Sequence, residues 1–198
     1  TRVFKECGYD VKCVSNYTDI DDKIIKEAKK ENKSEKELSE FYIKAYDDCL
    51  NKLNILPLYD HPKASEYITK MASFIHDLEN NGSAYQSGED IYFRVNSVKE
   101  YGALSKQKID DLVSGSRIDI SDKKENPLDF ALWKLTDDDG IKFDTEIGTG
   151  RPGWHTECVV MVNSVFHKSL IDIHGGGFDL KFPHHENEIA QSEARNHT

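Results

Sequence analysis

The chain has 198 residues, enough to bury a real core as one domain with room for a sub-domain. Its 36 acidic residues outnumber 26 basic ones, and a net charge of −10 argues against a general binder of phosphate backbones while leaving room for a local basic groove. The four cysteines (Cys7, Cys13, Cys49, Cys158) form no Cys-x-x-Cys pair, so a reduced, cytoplasmic setting fits better than a disulfide framework; no apolar run is long enough to span a membrane, and residues 1–10 show no signal peptide.

In chain order, residues 1–7 read as the end of a helix stopped by Gly8, and Val11–Val14 as a short strand. Asn16–Asp22 is a strand-to-helix turn whose Asp19, Asp21 and Asp22 suit a helix N-terminus; capping outweighs a metal site for this acidic cluster. Lys23–Lys30 is a helix. Ser34 to Glu37 is a capping box opening another, with Leu38, Phe41, Tyr42, Ala45, Cys49 and Leu50 on an apolar stripe that places Cys49 in the core. Ala64–Asn80 is a third helix, with Ile68, Met71, Phe74, Ile75 and Leu78 inward and Gly82 closing it. Ala84–Gln86 and Ile91–Val95 form a hairpin, Asp129–Leu135 another strand, and Asp137–Gly140 a turn. Gly150–His155 reads as a loop, Thr156–Phe166 as a helix and Leu170–Ile173 as a buried strand. No initiator Met opens the chain, which reads as a piece of something longer. Helices around strands whose carboxyl ends carry polar loops argue for an α/β fold with its site there.

The chemistry concentrates in residues 158–188: one thiol, a glycine-rich Asp172–Leu180 stretch, and Phe182-Pro183-His184-His185-Glu186-Asn187-Glu188. Pro183 suits the first turn of a helix, which sets His184 and Glu188 one turn apart on one face, able to grip one ion from two sides. Cys158 is the natural third ligand, and a Cys/His/Glu set suits zinc. Three protein ligands imply a fourth from elsewhere or an open position for a substrate. The plainer readings are a solvated His/Glu pair, a buried small thiol and a tight glycine turn. The His-Glu-x-x-His protease signature does not fit, because position 189 is Ile.

Four segments, in order, resemble one family. Gly150-Arg151-Pro152-Gly153-Trp154-His155-Thr156-Glu157-Cys158 looks like the Gly-Arg-Pro-Gly-Trp-His-x-Glu-Cys stretch of cysteinyl-tRNA synthetases. Thr18-Asp19-Ile20-Asp21-Asp22-Lys23 resembles their Thr-Asp-(Ile/Val)-Asp-Asp-Lys segment, and Asp172–Asp179 and Phe182–Gln191 resemble two further signatures. Glu146–Thr149 departs from the Pro-Trp-Gly-x often found there. The resemblance covers essentially the whole chain.

It implies a class I nucleotide-binding (Rossmann-like) parallel sheet split by a partly β connective insertion: 1–83 from the first half, 84–147 the insertion, and 148–198 the second half with the zinc site. It implies an enzyme that activates cysteine with ATP to cysteinyl-adenylate and esterifies tRNA(Cys), with zinc reading the thiolate, in a cytoplasmic and monomeric protein. It implies Cys158, His184 and Glu188 as zinc ligands beside an upstream Cys; Thr18, Trp154 and His174 lining the amino-acid pocket; and Gly176, Gly177 and Asp179 near the adenosine and its ribose. His155 and His185 stay outside the ligand set. The His-Ile-Gly-His-type and Lys-Met-Ser-Lys-Ser motifs and the anticodon helices of the family are expected outside residues 1–198, so this stretch alone is expected to be inactive. The rival readings are the related ligase that joins cysteine to an amino-sugar inositol in mycothiol synthesis, and a non-catalytic zinc-binding module.

Overall fold

The computed structural model describes residues 1–106, 123–135 and 140–196, which form two compact units. The first is built from Thr1–Tyr67 and the second begins at Ile68.

In the first unit, α1 (Arg2–Glu6) runs into Gly8 at φ +87°, a value glycine adopts without strain. Helix α2 (Asp22–Glu31) is capped by Asp21, whose carboxylate accepts from Lys23 N at 2.8 Å. Asp19 is not part of that cap. It accepts from Ser65 N at 2.9 Å and Ser65 Oγ at 2.6 Å, tying the turn to the short 3-10 helix Ala64–Tyr67. Helix α3 (Glu35–Lys52) opens on the expected capping box, with Glu37 N donating to Ser34 Oγ and Ser34 N to Glu37 Oε2.

The stripe on α3 does not behave as expected. Leu38 is buried, but Phe41, Tyr42 and Cys49 are exposed. Within the described residues α3 packs on α2, whose Ile25 and Ala28 are buried, and one neighbouring helix covers one edge of the stripe. Val11–Val14 likewise forms no ladder: the extended chain there makes only two isolated parallel bridges, Val14 to Asp60 and Tyr17 to Lys63.

The second unit carries the sheet. Helix α4 (Ile68–Asn80) buries Ile68, Met71, Phe74, Ile75 and Leu78, the inward set its periodicity indicates. Strands β1 (Ala84–Ser87) and β2 (Asp90–Phe93) form a hairpin that turns through Gly88 at φ +63°. Strands β3 (Phe130–Lys134), β4 (Phe143–Thr145) and β5 (Gly148–Pro152) complete a five-stranded sheet of order β1-β2-β3-β5-β4. Phe93 stacks on Phe130 at 4.9 Å, and buried Asp129 accepts from Tyr85 Oη, Val95 N and Asn126 N. Helices α5 (Trp154–Phe166) and α6 (Glu186–Asn196) pack on each other and on α4.

The α/β class therefore holds, but every pairing in this sheet is antiparallel. Parallel pairing among the described residues is confined to the two bridges in the first unit. Leu170–Ile173 is not a buried strand: it has no ladder partner, and Leu170 and Ile173 are 78% and 67% exposed. Apolar β-branched residues favour a strand only where a neighbour supplies hydrogen bonds and cover. Gly150–Pro152, read as the start of a loop over Gly150–His155, belong to strand β5 because β3 and β4 pair with it on either side. The turn expected at Asp137–Gly140 lies largely outside the described residues. Among the described residues, no helix is long and apolar enough to cross a membrane.

Candidate metal centre

The site is built where β5 passes into α5. Gly153 makes that junction possible. Its N–H donates to Leu132 O at 2.7 Å, and a Cβ there would stand 2.0 Å from Ala131 O. This close approach to β3 starts α5 at Trp154, and one turn later Cys158 is on the helix face that meets α6.

The second half comes from the chain entering α6. The backbone breaks from helical geometry at Phe182, and Pro183 begins a helical run that leads into α6. His184 and Glu188 lie one turn apart, both buried. Three buried polar anchors hold this run. Glu186 accepts from Gly102 N and Ser105 N, both at 2.8 Å, and from Leu104 N at 3.4 Å. Asn187 Oδ1 accepts from Tyr101 Oη at 2.6 Å. Gln191 Oε1 accepts from Thr156 Oγ1 while its Nε2 donates to His155 O and Asn187 O. Buried polar groups satisfied from several elements fix orientation as well as position.

Cys158 Sγ stands 3.8 Å from His184 Nε2, and His184 Nε2 stands 3.4 Å from Glu188 Oε1. Ligand bonds of about 2.0–2.3 Å at tetrahedral angles place neighbouring ligand atoms roughly 3.3–3.6 Å apart. The two edges that meet at His184 Nε2 are therefore close to those of a zinc tetrahedron. Glu188 Oε1 is buried without a hydrogen-bond partner, whereas Oε2 receives His174 Nε2 at 2.9 Å. An orphaned carboxylate oxygen aimed at a thiol and an imidazole fits a cation between them. Trp154 stacks on His184 at 4.2 Å, and His155 Nδ1 lies 2.9 Å from His184 Nδ1.

The electrostatics of the trio follow from its burial and its partners. Burial, reinforced by the Glu188 charge, pushes the Cys158 thiol well above its ordinary range. Burial alone would raise Glu188, but the His174 hydrogen bond and the His184 imidazole outweigh it and hold the carboxyl below its usual range. Burial lowers His184, and it drives His155 down to about 3 with the help of the His184 charge. The Glu188 hydrogen bond raises His174 against the opposing effect of burial.

Among the described residues, Cys158, His184 and Glu188 bring their ligand atoms within 4.8 Å of one another, and His174, His185 and Glu188 do the same. The chain thus gathers the three expected zinc ligands, with Trp154 and His174 touching that set. Gly176 is packed so closely on His185 that a Cβ would come within 2.6 Å of its ring, and a Cβ on Gly177 would meet Asp179 Oδ1 at 2.4 Å. Thr18 belongs to the first unit, where it lines a pocket of about 200 Å³ with Tyr17, Asp19, Leu38 and Tyr42. Sequence reasoning left out Tyr101, Glu186, Asn187 and Gln191 as functional positions. The available signal was a run of polar residues at helical spacing on a helix that also bears ligand-type side chains.

Residues 1–198 match the family model of the tRNA synthetases class I (C) catalytic domain, and the chain belongs to that family. Cysteine–tRNA ligases of Staphylococcus aureus strains are similar in sequence. Those of strains Newman and USA300 are 49% identical over 198 residues, and that of strain MRSA252 is 48% identical. Each alignment covers 99% of this chain and 42% of the relative, so the chain spans less than half the length of these proteins.

Proposed function

We propose that the chain is part of the catalytic domain of a cysteine–tRNA ligase, which activates cysteine with ATP and transfers it to tRNA(Cys), and that Cys158, His184 and Glu188 hold a zinc ion with an upstream cysteine. The observation that carries the reading is the convergence of Cys158 Sγ, His184 Nε2 and the orphaned Glu188 Oε1, with His184 Nε2 at 3.8 Å from the sulfur and 3.4 Å from the oxygen. When bound, zinc supplies a borderline-soft Lewis acid that holds a thiolate in preference to a neutral hydroxyl.

The residues of the chain do the rest. The indole of Trp154, 41% exposed, covers the His184 ring and offers an apolar wall to a substrate side chain. His174, partly exposed and hydrogen-bonded to Glu188, presents an imidazole edge at the mouth of the site. Thr18, which lines a pocket of the first unit, is the further residue assigned to amino-acid binding in this reading. Gly176, Gly177 and Asp179 serve the adenosine and ribose, where small residues let a nucleotide approach backbone amides. Positioning and charge neutralisation at the α-phosphate, not a covalent enzyme intermediate, drive such a step. In this reading, 84–147 is the connective insertion between the halves 1–83 and 148–198, and the protein acts as a monomer.

The test is cysteine-dependent ATP–pyrophosphate exchange and tRNA charging by the complete protein, with Cys158→Ser beside it. Exchange with charging that is lost together with zinc in Cys158→Ser is the expected result. Exchange without charging would point to an amino-sugar ligase, and zinc binding without exchange to a structural module.

A further inference from the structure

We infer that His155 is a positioning residue for the metal centre: its Nδ1 accepts the Nδ1–H of His184 and so holds the lone pair of His184 Nε2 toward Cys158 and Glu188. The inference rests on the zinc reading above, but it concerns a residue outside the ligand set.

The two imidazoles meet Nδ1 to Nδ1 at 2.9 Å, a distance that requires one donor and one acceptor. The rest of the geometry decides which is which. His184 Nε2 faces the Cys158 sulfur at 3.8 Å and the orphaned Glu188 oxygen at 3.4 Å, and a ligand nitrogen there must present a lone pair. The proton of a neutral His184 then sits on Nδ1 and points at His155 Nδ1, which must accept it. The tautomer of a metal-binding histidine is set by the partner of its other nitrogen, which in most sites is a carboxylate or a carbonyl. Here an imidazole takes that role, and its own position is constrained. The His155 backbone carbonyl accepts from Gln191 Nε2 at 3.0 Å, on the helix that carries Glu188. Its ring meets the Phe130 ring edge-on at 5.6 Å, and it precedes Cys158 by less than one turn of α5. With Trp154 stacked on its ring at 4.2 Å, His184 is gripped through both its face and its far nitrogen.

An imidazole acceptor differs chemically from the commoner carboxylate. It adds no negative charge beside Glu188, so the donor set keeps its charge while the ring orientation is still fixed.

Three substitutions at one position separate hydrogen bonding from packing. His155→Asn keeps an acceptor oxygen near the Nδ1 position, His155→Gln moves its polar atoms one bond further out, and His155→Leu removes them. The complete protein is stripped of metal, and zinc affinity is measured by chelator competition. Cobalt(II) substitution then reads the ligand field through its d–d and thiolate charge-transfer bands. The expected result is about a 10–100-fold loss of zinc affinity in His155→Leu and His155→Gln, with altered cobalt bands, and near-parental values in His155→Asn. Parental affinity and spectra in both His155→Leu and His155→Gln would overturn the inference, as would His155→Asn falling as far as His155→Gln. A parent that binds no zinc would instead sink the underlying reading, which keeps the two failures apart.

Discussion

Glu186 offers a direct test of how α6 is held. It is 2% exposed, and its carboxylate takes two short hydrogen bonds, from Gly102 N and Ser105 N, and one long one from Leu104 N. In Glu186→Ala the amides of Gly102 and Ser105 lose their acceptor, at about 1–3 kcal/mol for each buried donor left unsatisfied. Water entering the space of the lost side chain recovers part of this, so the expected destabilisation is about 3 kcal/mol. Glu186→Gln keeps the shape and one acceptor but turns an NH2 toward a donor, and should cost about half as much. Urea unfolding of the complete protein gives the global value, and native-state amide exchange at Gly102 and Ser105 gives the local one. His184 and Glu188 lie two residues to either side of Glu186, so zinc affinity should fall with the anchor. An Ala variant within about 0.5 kcal/mol of the parent, with unchanged exchange at both amides, would refute the anchoring argument.

Ser34→Ala removes the side-chain half of the α3 capping box and should cost about 1 kcal/mol in urea unfolding, with Ser34→Asn largely retaining the cap. Gly153→Ala places a Cβ 2.0 Å from Ala131 O, so α5 must shift; reduced thermal stability together with weaker zinc binding is expected, and a neutral effect on both would contradict the junction as described. The Cys158 thiol, pushed up by burial, is protonated in the metal-free protein, so zinc binding should release its proton and weaken by about tenfold for each unit of falling pH. Calorimetry in buffers of different ionisation enthalpy counts that proton. The His174–Glu188 pair stabilises the metal-free protein fully only above the ordinary Glu value of 4.5 and below the ordinary His value of 6.5. Its contribution fades as pH falls through the depressed Glu188 value or rises through the raised His174 value. The stability gap between parent and Glu188→Gln should therefore peak in that window, and a gap flat with pH would exclude the pairing.

Much of the fold was legible because local chemistry decided it. The α4 periodicity picked out the residues that are buried, and Ser34 with Glu37 marked the start of α3. What failed depended on neighbours. Phe41 and Tyr42 sit on an apolar stripe that the described residues leave uncovered, and Leu170–Ile173 has strand-like residues with no strand beside it. The β4–β5 hairpin was missed because glycines and a proline disguise a strand that draws its stability from pairing on both sides. At the site, the gathering of Cys158, His184 and Glu188 was legible from spacing and residue type. The supporting shell was not, because Tyr101 and Asn187 are 86 residues apart in sequence and no local pattern reports their meeting.

That supporting shell holds the trio as a fixed set of donors. A carboxylate with both oxygens free would swing between partners, but His174 takes Oε2 of Glu188 and leaves Oε1 alone facing Cys158 and His184. An imidazole with a free far nitrogen could flip, but the Nδ1 contact with His155 and the Trp154 stack resist it. Three donors are thus held before any ion arrives, which removes most of the ordering cost that a flexible set would incur on binding. In the zinc reading proposed above, the same rigidity selects the ion. Calcium needs six to eight oxygen ligands at about 2.3–2.6 Å, and magnesium wants an octahedron of oxygens at about 2.0–2.1 Å. A sulfur, a nitrogen and one oxygen with edges of 3.8 and 3.4 Å satisfy neither, and they leave a tetrahedral ion room for further donors. An open position beside a soft, thiolate-binding ion is what telling a thiol from a hydroxyl requires. A purely apolar pocket separates such near-isosteres only weakly, whereas a ligand bond that one of them cannot make rejects it outright.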